Sequence, residues 1–291
     1  MKYGIYNAYW TKTWEANYEY FIAKVKKLGF DILEISCAAL QDAYTTDNDL
    51  LELKKCAEAY GVTLTAGYGP SKKENISSED KNVAEYAVRF FQELIVKLNK
   101  LGINILGGGL YSYWPLDITA PMDKRKETER AINNMRIISK TAEAYNVTLG
   151  LEVLNRYEGY ILNTCEEAVD FVDAVDSPYV KVMLDTFHMN IEEDNIGAAI
   201  RLAGNRLGHF HIGEQNRRVP GKGNMPWGEI GQSLREIHYK GAVVMEPFVM
   251  SGGIIGKEIK VWRDLVPNAT EEILDKDAEG ALNFIKQVFE K

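Results

Sequence analysis

Short apolar runs alternate along this chain with longer stretches in which hydrophobic residues recur every three to four positions. Runs of strand length lie at 3–8, 32–35, 63–67, 103–107, 148–152, 180–185, 207–211 and 242–246. Between them, the spacing predicts helices over 18–28, where Phe21, Ile22, Val25 and Leu28 share one face, and over 50–60, 83–101, 125–145 and 166–175. Gly29, Gly61 and Gly102 stand just past three of these ends, where a residue tolerant of left-handed backbone stops a helix and turns the chain. A last helix is expected over 277–290. The runs are too apolar for strands that face water on one side, so both faces are expected to be covered, as in parallel sheets. Eight strand–helix units with right-handed crossovers close most simply into an α/β architecture, a (β/α)8 barrel forming a single domain over residues 1–291. The longer connections all follow strands, at 38–49, 68–81, 110–124, 154–164, 186–195, 212–226 and 247–277. That asymmetry puts recognition at the C-terminal end of the barrel.

Four residues of metal-ligand type sit at the ends of consecutive runs: Glu152, Asp185, His211 and Glu246. One carboxylate at a strand end is ordinarily a loop residue or a cap, but four in successive repeats converge on a site for one divalent cation. Oxygen-rich ligation with a single imidazole suits Mn²⁺, Co²⁺ or Mg²⁺ better than a closed, thiolate-rich zinc site, and leaves a coordination position for substrate. A 2+ ion with three ionised carboxylates carries a net −1, whereas one protonated carboxyl makes the site neutral. A pair of glutamates in those two states can remove a proton from one face of a carbon and return one to the other. Glu152 and Glu246, on strands 5 and 8, are placed to flank a ligand in this way. His209 shares a strand face with His211 and reads as a packed residue or a support for the ligands. His188 and Arg217 lie in loops beside the site, and Tyr6, Trp14 and Trp114 lie just beyond strand ends 1 and 4, where they are either core or pocket wall.

Composition narrows the classes. The net charge of −8 argues against an extended nucleic-acid contact, which needs clustered Lys and Arg against phosphates. Lys12 and Glu15 interrupt the first residues before any long apolar core, so neither a signal peptide nor a membrane span is expected, and the cytoplasm is the default compartment. Cys37, Cys56 and Cys165 show no metal-type spacing and read as free thiols.

The segments LEVLNR (151–156), VKVMLDTFHMNIEED (180–194), RRVPGKG (217–223), VMEPF (244–248) and YSYWPLD (111–117) carry a resemblance that runs nearly end to end. The chain resembles the ketose 3-epimerases of the D-tagatose 3-epimerase and D-allulose (D-psicose) 3-epimerase family, most closely the clostridial-type D-allulose members. The resemblance implies that Glu152, Asp185, His211 and Glu246 hold Mn²⁺ or Co²⁺, with Mg²⁺ as a further candidate and no organic cofactor, and that Glu152 and Glu246 double as the acid/base pair. It implies that Glu158, His188 and Arg217 bind the hydroxyl end of a ketose near O1 to O3, and that Tyr6, Trp14, Trp114 and Phe248 line the rest of the pocket. The reaction it implies is C3 epimerisation of free ketoses, D-fructose to D-allulose and related ketohexoses, through a cis-enediolate that the ion stabilises as a Lewis acid. A homodimer or homotetramer is the implied assembly.

Three positions depart from the family pattern: Asn7 where a second aromatic is usual, Tyr68 where His is frequent, and Gln215 where Cys or Ser is common. They bear on the preferred ketose. The alternatives read from the residues are a sugar-phosphate epimerase or aldose–ketose isomerase using Arg217, Arg218 and Lys222 with Gly221, Gly223 and Gly252–Gly253 as a phosphate cradle, an endonuclease IV-like nuclease, and a barrel that binds sugar without turning it over. Four histidines and an acidic balance fit the nuclease poorly, and the two glutamates fit the binder poorly.

Overall fold

The computed structural model describes residues 1–38, 40, 46–119 and 121–291, so the connections at 38–49 and 110–124 are described in part. Eight parallel strands pair in chain order and the last pairs with the first, closing a barrel. They are β1 (Lys2–Tyr6), β2 (Ile32–Ser36), β3 (Thr63–Gly67), β4 (Ile105–Gly108), β5 (Thr148–Glu152), β6 (Val180–Asp185), β7 (Leu207–Ile212) and β8 (Ala242–Met245). Outside them lie α1 (Tyr18–Lys27), α2 (Asp47–Tyr60), α3 (Lys81–Leu101), α4 (Lys124–Ala144), α5 (Cys165–Val175), α6 (Thr186–Glu192), α7 (Ile196–Ala203), α8 (Trp227–Glu236), α9 (Gly253–Glu258) and α10 (Glu271–Phe289).

Strand alternation divides the side chains. Leu33 and Ile35 of β2, Leu149 and Leu151 of β5, and Val182 and Leu184 of β6 belong to one cluster with the helices, the main core. Their neighbours in sequence point inward: Ile32, Ala242 and Val244 pack together in a separate cluster. Above it the interior holds Glu34, Thr65, Met183 and His209, all buried. Two glycines make room for that polar layer. A Cβ on Gly107 would lie 2.6 Å from Met183 Sδ and 3.3 Å from His209 Cδ2, and one on Gly150 would lie 3.3 Å from Met183 Cβ.

Several boundaries differ from those expected, each for a local reason. The first strand was expected to run to residue 8, but Asn7–Tyr9 form a turn of 3₁₀ helix, with Trp10 N–H bonded to the Asn7 carbonyl at 3.1 Å, as the chain leaves its pairing partners. β8 stops at Met245, leaving Glu246 one residue past the strand, still tied by its N–H to the Ile212 carbonyl at 3.0 Å. α2 starts earlier than expected because Thr46 and Asp49 form a reciprocal capping box. α10 starts six residues earlier than expected, at Glu271 instead of 277, because Thr270 caps it and Glu271 and Glu272 lie against its positive end. The expected loop 186–195 contains α6, which Asp185 caps through Phe187 N–H at 2.9 Å, so His188 is a helical residue. Among the described residues no helix is long and apolar enough to cross a membrane.

Candidate active site

Asp185 closes β6, Glu152 closes β5, His211 is the fifth residue of β7 and Glu246 follows β8. The barrel register sets Asp185 opposite His211 and His211 opposite Val244. One ligand-type atom from each of Glu152, Asp185, His211 and Glu246 lies within 4.8 Å of the others. His211 Nδ1 is 3.9 Å from Glu152 Oε1 and 3.5 Å from Glu246 Oε1. Two of these buried atoms, His211 Nδ1 and Glu152 Oε1, have no hydrogen-bond partner. Unpaired lone pairs facing each other in a buried acidic cluster are costly unless a cation satisfies them, so the donor set fits a divalent ion. Glu34, His209 and His211 also lie close enough to make a group of this kind. There, however, each histidine Nε2 already meets a Glu34 carboxylate oxygen, at 2.7 Å for His209 and 2.6 Å for His211.

Arg217 is the positive charge of the site. Its Nη1 donates to Asp185 Oδ2 at 3.1 Å and Glu246 Oε2 at 3.0 Å, and Nη2 lies 3.7 Å from Glu158 Oε1. Its guanidinium carbon stacks 3.7 Å from the centroid of Phe187 and 5.2 Å from that of Phe248. The backbone reaches this place in a left-handed conformation, φ 62°. It is held there by bonds from Arg217 N–H to the Glu214 carbonyl (2.9 Å) and from Phe248 N–H to the Arg217 carbonyl (2.9 Å). Glu214, fully buried, anchors the loop by accepting from Gly221 N–H, Met225 N–H and the Trp227 indole.

The charges shift one another. Burial pushes the Glu152 carboxyl well above the usual carboxylate range, with the charge of Glu246 adding to the effect and His211 opposing it. Burial also raises Asp185, but Arg217, His188 and His211 outweigh it and hold that carboxyl below its ordinary value. Glu158 is likewise held down, its burial outweighed by His188, Arg217 and the Asn155 amide. His188 goes the other way, because burial favours the neutral ring. Its Nδ1 accepts from the Asn155 backbone N–H at 3.2 Å, which places the proton on Nε2, 3.8 Å from both Glu152 Oε1 and Asp185 Oδ2.

The opposite wall is aromatic. Tyr6 stacks on Trp14 with centroids 6.2 Å apart, and Phe248 and Trp114 meet Trp14 edge-on at 6.2 and 6.5 Å. The indole N–H of Trp14 donates to Glu258 at 2.6 Å, and that of Trp114 to Glu158 at 3.4 Å. One cavity is lined by Tyr6, Trp14, Trp114, Glu158, His188, Arg217 and Phe248 together with Glu152, His211 and Glu246; Asp185 lies just behind it. Of the three departures from the resemblance, Tyr68 lines this cavity. Asn7 is fully buried, and the Gln215 side chain is taken up by Asn224 N–H at 2.9 Å.

Sequence reasoning missed Glu34, Glu258, Met183 and Ile259. Glu34 had a signal, a carboxylate in the middle of an otherwise apolar strand, but it precedes the strand end where ligands were sought. Glu258 and Ile259 come from α9 and its end, inside a connection read only as a loop.

Residues 22–267 match the family of xylose isomerase-like TIM barrels. The chain is 64% identical over 289 residues to a D-psicose 3-epimerase of Enterocloster bolteae, covering 99% of this chain and 96% of that one, and 50% identical to one of Agrobacterium fabrum, covering 99% of each. The crystal structure of a D-psicose 3-epimerase with D-tagatose, from Clostridium cellulolyticum H10, superposes with a TM-score of 0.98 at 54% identity over 99% of both chains. Closed barrel, carboxylate–histidine cluster and end-to-end identity coincide, and the chain belongs to the D-psicose 3-epimerases within the xylose isomerase-like TIM barrels: it is an isomerase of the epimerase class.

Proposed function

We propose that this epimerase inverts C3 of free ketoses, interconverting D-fructose and D-allulose and accepting related ketohexoses, with Glu152 and Glu246 as the two proton-transfer groups. The observation that carries the reading is that these glutamates enter one site from non-adjacent strands, β5 and the end of β8, with His211 Nδ1 between them at 3.9 and 3.5 Å. A C3 proton next to a C2 carbonyl is acidic enough to be taken by a carboxylate once the enediolate is stabilised. One glutamate removes it, and the other, protonated, returns a proton from the opposite face. Glu152, Asp185, His211 and Glu246 would hold Mn²⁺ or Co²⁺, with Mg²⁺ as a further candidate, which supplies Lewis-acid polarisation of the carbonyl when bound.

The remaining residues fix the sugar. The His188 Nε2–H and the Arg217 guanidinium donate toward O1 to O3, and the ionised Glu158 accepts from a hydroxyl. Tyr6, Trp14, Trp114 and Phe248 offer apolar faces to the carbon side of the ring or chain and exclude water from the reacting carbon. The buried free thiols Cys37 and Cys165 support a reducing compartment such as the cytoplasm.

Of the three cations of the phosphate cradle in the alternative reading, Arg217 alone lines the cavity. Lys222 pairs with Asp277 at 3.2 Å, and neither it nor Arg218 lines the cavity. Initial rates over a panel of free ketoses and their phosphates, with Mn²⁺ and Co²⁺ supplied, are expected to favour the free sugars. Arg217→Ala should lower their turnover by roughly 10- to 100-fold, the loss of charge-assisted hydrogen bonds. Faster turnover of a ketose phosphate, with a larger Arg217→Ala penalty on it, would replace this reading with the phosphate one.

A further inference from the structure

We propose that Glu34 is the positioning residue for His211: by accepting the Nε2–H of His211 it fixes that ring with Nδ1 toward Glu152 and Glu246, so that Nδ1 is the nitrogen left to ligate a cation. The inference rests on the four-residue cluster holding a divalent cation.

Glu34 is on β2 and His211 on β7, strands that are not neighbours in the closed sheet, so the contact crosses the barrel interior. The carboxylate is fully buried and fully engaged. Oε1 meets His211 Nε2 at 2.6 Å, and Oε2 meets His209 Nε2 at 2.7 Å and the Thr65 hydroxyl at 2.7 Å. Space for its histidine partner is built in: a Cβ on Gly107 would lie 3.3 Å from His209 Cδ2. An unsupported imidazole at the end of β7 has two tautomers, only one of which offers a lone pair at Nδ1. A carboxylate can only accept, so it selects the tautomer with the proton on Nε2, and the donated bond raises the basicity of Nδ1. Nδ1 is the ring nitrogen with no partner. His209 is then the second donor that holds Glu34 in register, and Glu34, His209 and His211 form a proton-bridged support in place of a second ion site.

The direct test uses Glu34→Gln, which keeps the shape but leaves one histidine Nε2–H without an acceptor. Mn²⁺ affinity by chelator competition, the visible absorption of the Co²⁺-loaded chain, and the melting temperature of stripped protein are compared with those of the unaltered chain. The expected result is one Mn²⁺ per unaltered chain, affinity weakened roughly 10- to 100-fold in Glu34→Gln, an altered Co²⁺ spectrum, and a stripped protein that still folds cooperatively, its melting temperature lowered by a few degrees for the one buried N–H left unpaired. Affinity within twofold of the unaltered chain would overturn the proposal, as would two ions per unaltered chain with one lost in the variant. Should Glu34→Gln fail to fold, Thr65→Val decides, because it removes a single bond to Oε2: a severalfold weaker Mn²⁺ affinity supports the role and an unchanged one overturns it. An unaltered chain that binds no Mn²⁺ would instead sink the cation reading on which this rests.

Discussion

Glu246→Gln and Glu152→Gln, each assayed at saturating Mn²⁺ with cation content verified, are each expected to lower kcat for ketose epimerisation by roughly 10²- to 10⁴-fold, the scale of lost general acid–base catalysis. A glutamine is the same size and still offers an oxygen to the cation, but it neither takes nor delivers a proton. The effect should fall on kcat more than on KM, because the groups proposed to hold the hydroxyls, Glu158, His188 and Arg217, remain. Neither residue is spare. Glu246 also accepts from Arg217 at 3.0 Å, while Glu152 is the more deeply buried and the one whose carboxyl is pushed upward. A variant at either position that kept more than a tenth of the turnover would remove that glutamate from the proton path.

Stripping the cation is expected to abolish turnover and to lower the melting temperature. The four residues proposed to hold it come from β5, β6, β7 and the position after β8, so one ion there would tie together half of the ring at its open end. At a hundredfold excess over its Kd, an ion that binds only the folded chain stabilises it by about 2.7 kcal/mol, a shift of roughly 5 °C or more. Part of this is relief of the crowding among Glu152, Asp185 and Glu246, of which Arg217 pairs with Asp185 and Glu246. Stripped protein with full activity and an unchanged transition would contradict the assignment of these four residues.

The barrel was legible because the strands are short, largely apolar runs and the longer helices are apolar on one face, so periodicity separates the two. The ligand cluster was legible because the barrel puts every strand's C-terminal end at the same mouth: Glu152, Asp185 and Glu246 each stand at or one residue past a strand end, and His211 one residue before. What the pattern hid lies one step away from those ends. Glu34 sits mid-strand, and its meaning depends on a partner 177 residues further on, a separation no local pattern reports. α6 was hidden because its cap, Asp185, was already spoken for as a ligand; the same carboxylate accepts the Phe187 N–H. α9, only six residues long with a glycine at its start, is too short and too weakly periodic to stand out from the loop around it, yet it delivers Glu258 to the Trp14 indole. The pocket wall was legible only through the resemblance, since Tyr6, Trp14, Trp114 and Phe248 are spread across the chain and aromatics are as common in cores as in sites.

In the proposed mechanism two glutamates exchange the C3 proton with solvent instead of passing a hydride within the sugar. It is tested most directly by running the intact, cation-loaded enzyme on D-fructose in D₂O under multiple-turnover conditions and locating deuterium in the epimer by NMR. A carboxyl proton exchanges with water between turnovers, and each face of C3 has its own group, so the product should carry solvent deuterium at C3 from the first turnover. Epimerised product with protium retained at C3 would contradict the two-base account.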